Sequence, residues 1–387
     1  MVTRELAARA AERGRLALDT EFVSERRYQA LLCLVQVAVP DPDGPDGVRT
    51  DVLDPLEGNF DPGPLAAVLA DPAVEVVLHA GRQDVALIRR SWRTEVTNVF
   101  DTQVAAGFVG FGNQEGYEAL VRRVMGVRLG GAEGFTRWDK RPLTEQQLAY
   151  ARDDARCLLA LGEELEGRLV EAGRLEWARE ECRALEAASD ERGADRSYER
   201  LPRLGRLDPE GRAVARELAE WREDTARAMD RPPGFVLPDQ TLVELARRRP
   251  RKRGELEHIR GLPPQTLHRR GAELVEAIDR GRRRQPPSPP PEAGAREPRD
   301  APLVSLSQAL VRQRSIDSGV AVELIATQAE LASLVAAVRR GENRNHVRVA
   351  RGWRRELVGD ELAELLAGRR GLGVGEDGGL EAFPSSG

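Results

Sequence analysis

The stretch from Arg15 to Glu25, RLALDTEFVSE, places two carboxylates inside a run that otherwise reads as a buried β-strand. Side chains at i and i+2 share one face of a strand, so Asp19 and Glu21 are predicted to point the same way, away from the apolar face. At roughly 5–6 Å two such charges repel by about 3 kcal/mol at an effective dielectric constant of ~20. No lysine or arginine lies between Leu16 and Ser24 to neutralise them. The pattern favours a divalent cation such as Mg²⁺ or Mn²⁺, with a water-facing edge-strand pair as the alternative.

The size and composition of the chain indicate a globular protein of two or three domains. It has 387 residues, of which 41% are hydrophobic and 32% charged. The first fifteen residues lack the apolar core of a signal peptide, and no run approaches ~20 apolar residues, so we expect a cytoplasmic protein without a membrane segment. Cys33, Cys157 and Cys182 are widely spaced and odd in number, which predicts neither disulfides nor a zinc site.

Positive charge is concentrated in two stretches of a chain whose net charge is −5. Residues 201–284 carry 20 Lys and Arg against 14 Asp and Glu, a difference of +6, and residues 339–355 carry seven arginines against one acid. Such stretches are typical of contacts with nucleic-acid phosphates. The alternative is that these arginines face solvent or pack on the rest of the protein.

The N-terminal half shows the pattern of an α/β domain with a mixed sheet flanked by helices. Strands are expected at 15–25, 31–39, 48–53, 74–79 and 96–100, with helices at 3–13, 64–69 and 83–90. Short connections favour antiparallel pairing of the first three strands, and the later βαβ rhythm favours parallel pairing of the last two. From Asp101 to Ala172 the pattern is mostly helical, with a glycine-rich interruption at 130–134.

Three further residues bear on the carboxylate pair. Asp84 follows a strand end in LHAGRQD, at the carboxyl edge of the predicted sheet. Tyr150 and Asp154 are four residues apart in one predicted helix, LAYARDDARCLLAL, and therefore share a face. Taken separately, each has an ordinary structural explanation, such as an acid in the first turn of a helix.

Together these residues carry a resemblance to a known family. The order Asp-x-Glu, Asp, Asp, with a Tyr four residues before the last Asp, resembles the DEDDy 3′–5′ exonucleases, which have a ribonuclease-H-like fold. The segments LALDTEF, LHAGRQD, VFDTQVAAGFVGFGNQEGYEALV and RPLTEQQLAYARDDARCLL are similar to those of the ribonuclease D family over about residues 15–172. Two departures are Lys140, where the family commonly has Arg, and the glycines at 130–134, where it is often richer in lysine.

The resemblance implies a catalytic site with two divalent metal ions, Mg²⁺ or Mn²⁺. It implies that Asp19 bridges both ions, that Glu21 and Asp154 complete the site of the attacking water, and that Asp84 holds the leaving-group ion. Tyr150 would orient the water by a hydrogen bond. The products would be nucleoside 5′-monophosphates released from a free 3′ end.

The second half resembles two accessory helical domains. The expected order is an exonuclease domain at 1–172, a helical connector at 173–206, an HRDC domain at 207–284, a Pro-rich linker at 285–300, a second HRDC-like all-α domain at 301–372 and a disordered tail at 373–387. The candidate nucleic-acid-binding residues lie in a connecting turn of the first HRDC domain: Arg248, Arg249, Arg251, Lys252 and Arg253.

The function that the resemblance implies is trimming of RNA 3′ ends, with tRNA precursors as substrates. We expect the protein to be a monomer. A DNA 3′–5′ exonuclease stays open, because the four carboxylates do not distinguish ribose from deoxyribose. A nucleic-acid-binding scaffold with an inactive nuclease domain is the alternative from another class.

Overall fold

Helices and strands alternate through the first half of the chain, as the periodicity predicts. The structure is a computed structural model that describes residues 2–130, 137–191, 193–288, 298–376 and 378–385. The elements of this half are α1 (Val2–Arg13), β1 (Arg15–Val23), β2 (Leu31–Pro40), β3 (Val48–Leu53), α2 (Gly63–Leu69), β4 (Glu75–Leu78), α3 (Arg82–Trp92), β5 (Val99–Asp101), α4 (Thr102–Phe108), α5 (Tyr117–Met125), α6 (Glu145–Arg156), α7 (Leu158–Glu171) and α8 (Leu175–Glu186).

A five-stranded sheet with the order β3-β2-β1-β4-β5 forms the centre of this half. β2 and β3 pair antiparallel, whereas β4 pairs parallel with both β1 and β5. The expected mixed sheet flanked by helices is confirmed. β1 pairs with β4 in a register that places Ala17 opposite Val77, so the carboxylates of β1 lie where β4 is ending and the chain turns into α3.

The described residues divide into two compact units, and neither unit is continuous in sequence. One comprises 1–21, 32–189 and 294–387, and the other comprises 22–31 and 190–293. The second unit contains α9 (Ala194–Glu199), α10 (Pro209–Met229), α11 (Pro233–Val236), α12 (Asp239–Arg248) and α13 (Pro264–Arg283).

Leucine and isoleucine side chains at helical spacing form the core of the second unit. Leu218 of α10, Leu245 of α12 and Leu274 and Ile278 of α13 are completely buried. The short segment 22–31 packs within the same unit, where the Tyr28 hydroxyl donates a hydrogen bond of 2.9 Å to Glu223. Most of the predicted Pro-rich linker, residues 289–297, lies outside the described residues.

The C-terminal segment belongs to the same unit as the sheet. Its elements are α14 (Asp300–Ser318), α15 (Val322–Ile325), α16 (Gln328–Arg340), α17 (Gly352–Arg354), α18 (Asp360–Leu366), β6 (Arg370–Val374) and β7 (Leu380–Pro384). Trp353 packs edge-on against Phe108 at 4.9 Å between ring centroids and stacks on Trp177 at 5.3 Å. The amide of Ala321 also donates to the Gly107 carbonyl at 2.8 Å. This segment is therefore part of one core with α4 and α8, whereas the sequence suggested a separate domain beyond residue 300 and a boundary at 172.

The prediction of a disordered tail from residue 373 is wrong for the residues described there. Arg370–Val374 and Leu380–Pro384 pair as an antiparallel hairpin. The Leu380 amide donates to the Gln313 side chain of α14 at 3.0 Å, and the Ser385 amide donates to the Arg369 carbonyl. The glycine-rich composition suggested disorder, but these backbone hydrogen bonds hold the segment in place.

No single helix of the described residues is long and apolar enough to cross a membrane. One pair of helices, Asp300–Ser318 with Val322–Arg340, has the length and composition of a span when taken together, and the two are bent by 120°.

Candidate active site

β1 carries Asp19 and Glu21 and also fixes the position of Asp84. Asp19 and Glu21 are half-buried, and Thr20 between them is buried on the other side of the strand. The Thr20 hydroxyl donates a short hydrogen bond to Asp84 Oδ1 in the first turn of α3. Asp84, which is distant in sequence, is therefore held beside the Asp19 and Glu21 strand at one edge of the sheet.

The loop that leads to Asp84 is held by Asp101, a residue that the sequence interpretation did not single out. Ala80 has a φ of 54°, and a Cβ on Gly81 would lie 2.6 Å from the Leu78 side chain, so the turn requires glycine there. The Asp101 carboxylate accepts from the amides of Ala80 and Gly81 at 3.1 and 2.8 Å and also caps α4. An Asp between a strand and a helix is the signal that could have identified it.

α6 brings the last two predicted residues together. Thr144 begins this helix with a capping box that it shares with Gln147. Tyr150 and Asp154 lie one turn apart, and the Tyr150 hydroxyl approaches the Asp154 carboxylate closely enough to oppose the rise in its pKa. The helix ends at Arg156, and α7 begins at Leu158, so the single helix predicted through Cys157 is two helices in the structure.

The electrostatics of the four acids show that they share one poorly solvated region. Burial raises the pKa of Glu21 to about 8, and the charges of Asp154 and Asp84 act in the same direction. Burial likewise raises the pKa of Asp154 to about 7 and that of Asp84 to about 6, and the Thr20 hydroxyl opposes the latter shift. Burial raises the pKa of Asp19 well above its usual range, and the charges of Asp84, Asp154 and Glu21 raise it further.

The donor chemistry of these acids fits a divalent cation. Within the described ranges none of the four forms an ion pair with Lys or Arg, so their mutual repulsion has no internal compensation. Hard carboxylate oxygens are the ligands that Mg²⁺ and Mn²⁺ prefer. In this conformation no three His, Cys, Asp or Glu side chains of the described residues converge on one point, and Mg²⁺ commonly uses only one or two carboxylates with water and substrate oxygens.

Two aromatic residues of the site were not identified from the sequence as functional. The His79 ring lies 5.5 Å from that of Tyr117, and its nitrogens contact the Thr102 hydroxyl and the Glu115 carbonyl at 2.9 and 3.1 Å. The Tyr117 hydroxyl is buried without a hydrogen bond in the described structure, and burial raises its pKa. The charges of Cys157, Asp154 and Asp19 act in the same direction, so this hydroxyl lies near the acids.

The five candidate nucleic-acid-binding residues differ in their surroundings. Arg248 pairs with Glu244, and Arg249 pairs with Asp208 at 2.9 Å and with Glu210 at 3.3 Å. Arg253 donates to the His268 carbonyl at 3.2 Å. The side chains of Arg251 and Lys252 are exposed and have no ion pair among the described residues, so they are the two that are free to meet phosphate.

Most arginines of the second basic stretch pair with acids of the same unit. Five of its seven arginines form internal ion pairs: Arg339 with Asp300, Arg340 with Glu342, Arg348 with Glu330, Arg354 with Glu181 and Arg355 with Asp360. Arg354 is only 2% exposed. Arg354 is tied into the packed unit, whereas Arg340 and Arg355 are exposed and pair with acids two and five residues away, so packing, which the sequence left open, accounts for only part of the stretch.

Comparisons with known proteins identify the family. Residues 3–170 match the family model described as 3′–5′ exonuclease, and residues 211–278 match the HRDC domain. The chain is 34% identical to the ribonuclease D of Nitrobacter hamburgensis, with 96% of each chain covered, and 36% identical to that of Jannaschia sp., with 96% and 95% covered. The crystal structure of Escherichia coli RNase D, described as an exoribonuclease involved in structured RNA processing, superposes with a TM-score of 0.82 at 28% identity, covering 94% of this chain and 96% of that one. The chain belongs to the ribonuclease D family of 3′–5′ exoribonucleases.

Proposed function

We propose that this exoribonuclease trims the 3′ ends of structured RNA, tRNA precursors among them, with two divalent ions at the carboxylate cluster. The observation that supports the proposal is the set of four desolvated acids without a positive partner among the described residues, placed beside Tyr150. Arg251 and Lys252 would add phosphate contacts from the HRDC domain.

The residues divide the work of holding ions and substrate. Asp19 would ligate both ions, Glu21 and Asp154 one of them, and Asp84 the other, through the oxygen that Thr20 leaves free. When bound, such ions stabilise the attacking and leaving oxygens of an in-line displacement at phosphorus. Thr20 and Asp101 hold the strand and the loop that carry the ligands.

Tyr150 would orient the attacking water and keep its own proton. Burial and the charge of Asp154 raise the pKa of its phenol above the usual value of ~10, so it stays neutral at physiological pH. Tyr150→Phe should therefore slow the reaction about 10²-fold in single-turnover assays, with unchanged Mg²⁺ affinity. An unchanged rate would assign Tyr150 to packing alone.

The test uses a 5′-labelled RNA hairpin with a single-stranded 3′ extension. We expect successive shortening from the 3′ end, release of nucleoside 5′-monophosphates, dependence on Mg²⁺ or Mn²⁺, and protection by a 3′-terminal phosphate. A matched DNA should be degraded more slowly. Equal degradation of both would favour the DNA exonuclease, and activity in excess EDTA would contradict the metal-dependent mechanism.

Two neighbouring acids of α6 provide a matched pair of variants. Asp154→Asn removes a proposed ligand and should abolish trimming. Asp153→Asn changes the adjacent acid, which pairs with Arg156 at 3.2 Å, and should retain activity. Equal loss in both variants would contradict the assignment of Asp154.

A further inference from the structure

Arg141 uses all five of its guanidinium N–H groups in hydrogen bonds. Nε donates to Asp54 at 2.5 Å and Nη2 to the same carboxylate at 2.6 Å. Nη2 also donates to the Cys33 carbonyl of β2 at 3.1 Å. Nη1 donates to the carbonyls of Trp138 and Lys140 at 2.7 and 2.8 Å. The Arg141 side chain thus links the segment before α6, residues 137–141, to β2 and to Asp54, which follows β3.

The segment held in this way contains the aromatic neighbour of Tyr150. Trp138 is 3% exposed, and its ring centroid lies 6.2 Å from that of Tyr150, with an angle of 27° between the planes. A Trp138 backbone fixed by Arg141 places the indole beside the phenol and restricts where that phenol can turn. The Arg141 side chain is 28% exposed, and the Asp54 side chain is 15% exposed.

We propose that Arg141, Asp54 and Trp138 are positioning residues that set the orientation of the Tyr150 hydroxyl. The proposal rests on the role of Tyr150 in the proposed function. The hydrogen bonds of Arg141 go to Asp54 and to backbone carbonyls rather than to the carboxylate cluster, so its effect passes through Trp138. The position of the Tyr150 hydroxyl matters because a displacement of ~1 Å at a reacting group can reduce a rate about 10²-fold.

Lysine cannot replace this arginine. Its ammonium group has three donors around one nitrogen and lacks the planar fork that meets both oxygens of a carboxylate. Arg141→Lys therefore keeps the charge and releases the carbonyls of Cys33, Trp138 and Lys140 from their shared donor. Asp54→Asn loosens the same fork from its other side.

The decisive experiment is a double-mutant cycle of Arg141→Lys with Tyr150→Phe, measured by single-turnover cleavage of the tailed hairpin RNA in Mg²⁺. We expect Arg141→Lys to slow cleavage about tenfold when Tyr150 is intact and less than about twofold in the Tyr150→Phe background, because no hydroxyl is left to orient. Equal losses in both backgrounds, or no loss in either, would overturn the proposal. Arg137→Lys, in the same segment and 64% exposed, is the matched control and should leave the rate unchanged.

A second readout does not depend on activity. In protein labelled with 5-fluorotryptophan, the resonance of Trp138 is identified by its loss in Trp138→Phe. Both Arg141→Lys and Asp54→Asn should shift or broaden this resonance in the metal-free protein, and Arg137→Lys should not. An unmoved resonance in both variants would overturn the proposal.

The two readouts also separate this proposal from the proposed function. A normal cleavage rate of Tyr150→Phe would count against the role of Tyr150, and the resonance would still report whether Arg141 orders the stack. If Arg141→Lys does not fold, Asp54→Asn takes its place in the cycle, with the same expected dependence on Tyr150.

Discussion

The uncompensated acids should make the metal-free protein less stable as the pH rises. The pKa of Glu21 is raised from 4.5 to about 8, so between these values the folded protein keeps a proton that the unfolded chain has released. Stability from this group is therefore complete below about pH 4.5 and is lost as the pH rises through about 8. Glu21→Gln, which is neutral throughout, should remove this dependence.

The loss of stability is limited by the shift in the pKa of Glu21 from 4.5 to about 8. About 3.5 pKa units at 1.36 kcal/mol each correspond to an upper limit of about 5 kcal/mol. As the pH falls through this range, Asp154 and Asp84 also take up protons, and they then repel the Glu21 carboxylate less. We expect about half of the limit, roughly 2 kcal/mol, which corresponds to a rise of about 5 °C in Tm for a unit of this size.

The assay is thermal unfolding of the EDTA-treated wild type and Glu21→Gln, from about pH 5 to about pH 8.5. The variant should unfold at a higher temperature at the upper end, and the difference should nearly vanish at the lower end. Comparing the two proteins at each pH cancels the titration of groups that do not interact with Glu21. In excess Mg²⁺ the order should reverse, because a bound cation stabilises the wild type. A difference in Tm that does not vary with pH would refute the reasoning.

Three other changes test separate parts of the structure. Asp19→Asn should abolish cleavage, leave RNA binding in EDTA within about twofold, and raise the Tm of the metal-free protein, because it removes a repelling charge. Glu181→Ala should lower the free energy of unfolding by about 3–5 kcal/mol in denaturant titrations, because it leaves the buried guanidinium of Arg354 without its carboxylate. Arg251→Glu combined with Lys252→Glu should weaken RNA binding and reduce its dependence on salt by about 0.9 log unit or less per lost phosphate contact.

Each of these predictions has a control and an outcome that contradicts it. Cleavage by Asp19→Asn within about tenfold of the wild-type rate would exclude its proposed ligand role. Glu176→Ala on the same helix as Glu181 removes an acid whose side chain is 74% exposed, and it should cost little; equal losses would contradict the argument from burial. Unchanged salt dependence in the Arg251 and Lys252 variant would leave the HRDC domain with another role.

The strands and the shared helix face of Tyr150 and Asp154 could be predicted because their signals are local, whereas the grouping of the four acids came from the family resemblance. Alternation in RLALDTEFV, the continuous apolar run LLCLVQVAV and the spacing of Tyr150 and Asp154 each follow from one period of one element. The closeness of Asp84 to β1 depends on strand order, which the sequence did not predict and which the parallel pairing of β1 and β4 shows. The roles of the five site residues stay predictions.

Other features could not be predicted from the sequence because they depend on contacts between residues far apart in the chain. Nothing near Arg141 in the sequence indicates that its partners are a carbonyl of β2 and a carboxylate 87 residues earlier. The arginines of 339–355 have the composition of a phosphate-binding stretch, and only the packed fold shows that Glu181 and Glu330 neutralise part of it. The hairpin of β6 and β7 has the glycine content of a disordered segment, and its order comes from contacts with α14.

The discontinuity of the first unit affects how the protein is made. Phe108 and Trp177 leave the ribosome long before Trp353, which covers them, and at ~5–20 residues per second the 176 residues from one tryptophan to the other (353 minus 177) take roughly 10–35 s to synthesise. During that time the sheet and its carboxylates lack part of their core. A chain interrupted before residue 294 would never acquire it, and we expect such fragments to be unstable and degraded.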